Sequence, residues 1–177
     1  MKEKNNKSKI TKTGKKSLTG YLTAAGRGNV DKIRQLLDHG VKIEKRNKHG
    51  ETPLMRASIS GKLSCVQLLL DRGADVNLVA VNNFSAVSFA SLFGYVEILK
   101  FLLDHGGKVD VIGCHGITPL ILSCLHHHST CVALLLERGA DITLTTNEGK
   151  TALDHCTYED IKKILTDAVN KTDNAPN

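Results

Sequence analysis

Thr19, Thr52, Ser85, Thr118 and Thr151 stand about 33 residues apart, and other residues keep step with them. A glycine returns as Gly40, Gly73, Gly106 and Gly139. Another returns as Gly28, Gly61 and Gly94, with His127 in the fourth place. Leucine pairs recur as Leu36-Leu37, Leu69-Leu70, Leu102-Leu103 and Leu135-Leu136. Unlike positions holding one register exclude chance spacing. They require a stack of like units, because one short unit cannot bury its apolar face alone.

The cleanest unit is Glu51–Asn77. Thr52 offers a hydroxyl to the free amides of a helix start, and Pro53 suits the first helical position because it has no N–H to satisfy. Leu54 and Ala57 share a helical face, and Gly61 ends that helix. Leu63, Val66, Leu69 and Leu70 give a second helix, which Gly73 stops by accepting a left-handed backbone. Ala74-Asp75-Val76-Asn77 leads out as an extended segment. Neither helix is long enough to be stable by itself, so the spacing predicts that each copy packs on the next.

These residues carry a resemblance. Thr52-Pro53-Leu54, Thr118-Pro119-Leu120, Gly73-Ala74-Asp75-Val76-Asn77 and Gly139-Ala140-Asp141-Ile142 are similar to the motifs of the ankyrin-repeat family. The resemblance implies an all-α ankyrin-repeat solenoid of five helix–loop–helix units with short β-hairpin tips. The units fall at about 18–50, 51–83, 84–116, 117–149 and 150–166. It also implies a protein-binding, non-catalytic role. The sequence departs from the family in places. The histidine that commonly follows Thr-Pro-Leu is replaced by Met55, Ser88, Ile121 and Asp154, so the hydrogen bonds of that histidine are expected to be missing. The third unit opens Ser85-Ala86-Val87 and has Asn83 where a tip glycine is usual, and the last unit is short.

The net charge of +6 has one source. Met1–Lys16 holds seven Lys and one Glu, while the remaining acids and bases cancel. Residues 1–17 are expected to be a disordered Lys-rich tail, a solubilising segment in preference to a nuclear-import signal or nucleic-acid tether. Gly14-Lys15-Lys16-Ser17 lacks the upstream strand and first glycine of a phosphate-binding loop. Residues 167–177 read as a polar C-terminal tail. No apolar run reaches the roughly 20 residues of a membrane span. The five cysteines have no paired spacing, and the expected setting is intracellular, cytoplasmic or nuclear. Cys65, Cys131, Cys124 and Cys156 fall at core positions, and Cys114 at an exposed tip.

By the resemblance, partners meet the concave face, made of the tips and the exposed ends of the first helices. There the chain carries His49, Ile59, Phe84, Leu92, Phe93, His115, Ile117, Leu125 and His126. An apolar centre with a polar rim is the anatomy of a protein interface, with aromatic residues as anchors. Phe84 and Phe93 are the expected anchors. Leu92 and Leu125 are the members expected to fill gaps between repeats if any do.

Sharper motifs weaken on inspection. His126-His127-His128 beside Cys124 and Cys131 resembles a metal cluster, but consecutive helical residues point about 100° apart and cannot converge on one ion. A site from Cys114, His115 and His126 is a weaker alternative. His39, Arg72, His105 and Arg138, each before a stop glycine, read as cations at helix C-termini rather than an anion-binding ridge. Asn77, eight residues after Leu69 and following Asp75-Val76, is similar to the target pattern of asparaginyl hydroxylases that modify ankyrin repeats. A structural role for Asn77 through local hydrogen bonds is the stronger reading. Asp154-His155-Cys156 is consecutive on one helix, and no nucleophile–base pair, phosphate cradle or acid–base carboxylate pair stands out. No catalytic residue, metal or cofactor is expected. The sequence is read as a monomeric, non-catalytic adaptor for another protein. The alternatives are a nucleic-acid- or chromatin-associated regulator using the basic tail, or a host-directed effector.

Overall fold

The computed structural model describes residues 20–173. The Lys-rich stretch 1–17 and the final four residues lie outside them. The first helices of the five units are α1 (20–27), α3 (Pro53–Ile59), α5 (Ala86–Leu92), α7 (Pro119–Leu125) and α9 (Ala152–His155). The second helices are α2 (Val30–Asp38), α4 (Leu63–Asp71), α6 (Val96–Asp104), α8 (Ser129–Glu137) and α10 (Glu159–Asp173). A two- or three-residue turn folds each second helix back on its first. First helices stack in one row (α3 on α5, α5 on α7, α7 on α9) and second helices in another (α2 on α4, α4 on α6, α6 on α8, α8 on α10).

The recurring threonine starts the first helices as expected. The side-chain oxygens of Thr52, Ser85, Thr118 and Thr151 each accept from the backbone N–H three residues on, at 3.3 Å. The hydrogen bonds expected to be lost with the histidine are mostly remade. The N–H of Thr52 donates to Met55 Sδ (3.5 Å), that of Ser85 to Ser88 Oγ (3.2 Å) and that of Thr151 to Asp154 Oδ2 (2.8 Å). A thioether, a hydroxyl and a carboxylate each close a capping box. Ile121 has no polar atom to offer.

The mid-unit turn requires a left-handed residue. Gly61 and Gly94 adopt φ of 66° and 70°, and His127 takes the same conformation at 57° despite its side chain. Asn83 supplies the equivalent at its glycine-free tip, with φ of 60°.

Neighbouring units are joined by three polar ladders. Along the loops, Glu44 Oε1 accepts from Asp75 N (2.7 Å), Asn77 Oδ1 from Lys108 N (2.9 Å), and Asp110 from Asp141 N (3.2 Å). At the tips, the N–H groups of Val81, Cys114 and Asn147 donate to His49 O, Asn82 O and His115 O. At the C-terminal ends of the second helices, Arg72 Nη1 pairs with Asp38 (2.9 Å) and Arg138 Nη1 with Asp104 (2.7 Å). The tips are turns, each closed by a backbone bond such as Ala80 N to Phe84 O (3.0 Å). A lone Val79–Ser85 bridge is the trace of β-structure among the described residues.

The main core runs the length of the stack. Leu69, Leu99, Leu102, Leu120 and Leu135 are almost wholly buried in it. A smaller apolar cluster of Met55, Ala80, Phe84, Phe89 and Leu122 lies under the tips. The last unit departs from expectation. Its second helix does not end near Thr166 but runs fifteen residues to Asp173, so residues 167–173 of the expected polar tail are helical. Ile161 and Leu165, one helical turn apart, anchor it in the core.

Leu69→Ala and Leu102→Ala should each cost about 2–5 kcal/mol in chemical denaturation. A variant as stable as the parent would mean that the register is wrong. Hydrogen bonds from the Thr151 N–H and hydroxyl hold the Asp154 carboxyl below the usual carboxylate range. A folded value below the unfolded one of about 3.9 stabilises the fold above that pH, and the effect is lost as pH falls through the folded value. Asp154→Ala should therefore lower the melting temperature at neutral pH, and the deficit should shrink in strongly acidic buffer.

Candidate protein-binding surface

The nine surface candidates divide by depth. His49, His115 and His126 are exposed, and so are Phe93 (43%) and Leu125 (39%). Ile59, Leu92 and Ile117 are half-buried and pack against the cluster under the tips. Phe84 is 8% exposed, which corrects its placement as a free anchor. Its ring meets Phe89 edge-on at 5.8 Å, and it fills the space that Gly113 leaves in the next tip, where a Cβ would collide with the ring. Of the two leucines expected to be at risk, Leu92 packs inward and Leu125 does not.

Tyr95 was not among the candidates. It is 36% exposed and stacks on Phe93 at 6.2 Å with 26° between the rings. It also lies over Gly61 of the preceding unit, where a Cβ would come within 2.8 Å of its ring. Lys62 covers Gly28 and His128 covers Gly94 in the same way. The sequence holds the signal: a residue just after one mid-unit glycine sits over the glycine one unit earlier. Val81 (80%) and Ile112 (57%) are further exposed apolar side chains.

The histidine triplet lies in the turn between α7 and α8 rather than on a helix, which corrects the helical placement expected of it. His127 Nε2 is 3.1 Å from both Asp160 oxygens, and its ring stacks on Tyr158 at 3.8 Å. His128 Nε2 lies 3.1 Å from Leu92 O. His126 and His128 lie near-parallel with their rings 6.3 Å apart, while His127 turns to Asp160 and Tyr158. Among the described residues no group of three or more His, Cys, Asp or Glu is placed to hold a metal ion.

The other motifs have structural partners. His39, Arg72, His105 and Arg138 cap the C-termini of α2, α4, α6 and α8. Both arginines of this row are paired with carboxylates one unit back. Asn77 spends its amide on the next unit, donating to Gly106 O (3.0 Å) and accepting from Lys108 N (2.9 Å). Cys65, Cys124, Cys131 and Cys156 are buried, and Cys114 is half-buried against the cluster under the tips instead of exposed. Burial pushes the Cys124 thiol up to about 12 and that of Cys131 to about 11, which leaves them poor nucleophiles.

A family profile described as ankyrin repeats (3 copies) matches residues 2–80 and 86–175. The chain belongs to the ankyrin-repeat family. Ankyrin repeats generally serve as protein–protein interaction modules and are typically non-catalytic. No curated protein matches the chain. Among the described residues no helix is long and apolar enough to cross a membrane.

Phe84→Ala should cost about 3–5 kcal/mol as a core truncation. Phe93→Ser, which loses one stacked contact at the surface, should cost about 1 kcal/mol or less. Equal losses in urea unfolding would mean that the two phenylalanines are not at different depths.

Proposed function

We propose that this ankyrin protein is a non-catalytic adaptor that binds a segment of another protein on the face formed by its tips and first helices. Phe93 and Leu125 are the anchors, His49, His115 and His126 form the polar rim, and Ile59, Leu92 and Ile117 give the floor its apolar character. Phe84 supports that floor from beneath. The observation that carries the reading is the exposed Phe93–Tyr95 stack, with the exposed Leu125 one unit further on. Phe93 and Leu125 keep large apolar area in water at places where a polar side chain would satisfy the backbone equally well. The units beneath them are tied by side-chain and backbone ladders. The surface is therefore preorganised, and little ordering entropy is lost when a partner binds.

The proposed state is a monomer inside the cell, in the cytoplasm or nucleus, and the buried, unpaired thiols are in keeping with a reducing compartment. For Asn77 the structural role stays the stronger reading, supported by its two bonds to the next unit, and modification is the alternative: a hydroxylated Asn77 in fragmentation mass spectrometry of protein from its own cell would favour it.

A crosslinking pull-down from the source cell tests the adaptor reading. The chain should capture a partner that the Phe93→Ser/Leu125→Ser double variant loses by tenfold or more, with an unchanged circular dichroism spectrum. Equal capture by both proteins would move the interface away from this face.

A further inference from the structure

Over the first two units the same face opens into a groove of about 750 Å³ between α1, the start of α3 and the tip at residues 47–51. One carboxylate lines it, that of Glu51. This carboxylate is already engaged, by Asn47 Nδ2 at 2.6 Å and by Arg56 Nη1 at 3.4 Å, and its side chain is 15% exposed. Arg56 lies alongside α1: a Cβ on Gly26 would sit 3.6 Å from its Nη2, in ordinary van der Waals contact. Arg27, Lys48 and His49 also line the groove and are exposed. Their side chains form no hydrogen bond or ion pair with other described residues. The groove thus offers several cationic or donor groups and no free acid.

The charge around it is segregated along the stack. Residues 20–50 contain seven Lys and Arg against three Asp and Glu, whereas residues 84–149 contain three against six. The tips and first helices of units three and four carry no Lys, Arg, Asp or Glu apart from the Glu148–Lys150 pair, so a long polyanion laid along this face would leave the basic end and meet no further cations. A short acidic stretch would not.

We propose that this groove is a subsite for one or two Asp or Glu side chains of the bound protein segment, the same segment whose apolar part meets Phe93 and Leu125. The proposal rests on the adaptor reading above and adds a partner chemistry and a direction to it. The acidic end of the segment lies over units one and two, and its apolar end over units three and four. Exposed charge pairs contribute modest affinity, so the subsite acts mainly on orientation and on the rate of encounter.

Nuclear magnetic resonance titration of the full chain, at constant ionic strength, tests it with an acetylated and amidated tri-glutamate peptide. The expected result is saturable shifts of amides in residues 23–27 and 47–51, no such shifts with tri-glutamine, and at least fivefold weaker binding by Arg27→Glu/Lys48→Glu. Both substituted side chains are exposed, and an unchanged thermal melt of this variant, or of Arg27→Gln/Lys48→Gln, separates lost binding from lost fold. Shifts that are absent, that lie elsewhere, or that inorganic phosphate or a twelve-nucleotide single-stranded DNA reproduces at the same concentration would overturn the proposal. The Phe93→Ser/Leu125→Ser variant should keep the tri-glutamate shifts. If the pull-down succeeds and the titration fails, the subsite alone is rejected. If the titration succeeds and the pull-down fails, the groove binds acidic peptide but the shared segment is rejected.

Discussion

A helix of seven to nine residues has no stability of its own in water, and α2 through α8 are all of that length. Each persists because it is covered on one side by its partner in the unit and on the others by the units before and after. The polar ladders obey the same rule. Glu44 to Asp75, Asn77 to Lys108 and Asp110 to Asp141 each reach 31 residues along the chain, and the tip bonds run between successive tips. One carboxylate or amide therefore holds the next unit in place only if that unit repeats the spacing. The period is a mechanical requirement of the joints as well as a feature of the sequence.

This explains why so much of the fold was legible. Thr52, Ser85, Thr118 and Thr151 cap helices, and the left-handed turn is kept even where His127 replaces glycine, because the joint leaves the backbone no other course. The misreadings concern side chains whose roles depend on what a neighbour lacks. Phe84 looked like a surface anchor by its place at a tip. It is buried because Gly113, 29 positions later, vacates the space for its ring. The missing histidine suggested missing hydrogen bonds, but the N–H of Ser85 or Thr151 needs an acceptor at a given place rather than a particular residue type. Helix α10 outruns the expected boundary because the chain from Thr166 to Asp173 contains no glycine or proline to end it.

The surface was less legible than the framework for a related reason. At the helix-turn edge, one side chain performs two tasks. Tyr95 covers Gly61 with one part of its ring and lies beside Phe93 with another. His128 covers Gly94 and reaches Leu92 O. A substitution there alters a joint and a surface together. Phe93 and Leu125 are different: each is a large apolar side chain that the framework covers only in part. Composition does not separate these cases. The distinction comes from knowing which side of the turn each residue faces.

Extensive helix contacts in this stack join helices of one unit or of adjacent units. Stability is then close to a sum of units and nearest-neighbour joints, so a change on a tip is felt one unit away and hardly beyond. A buried leucine contributes to its own unit and to the adjoining joints, and its loss weakens all of them. The exposed tips and turn edges can consequently take on unlike chemistries along one molecule, basic over the first two units and apolar over the third and fourth, without the fold resisting either. The rigid spacing of the units then converts that order along the chain into a fixed order in space, and this is what lets a stack of similar repeats distinguish one end of a bound segment from the other.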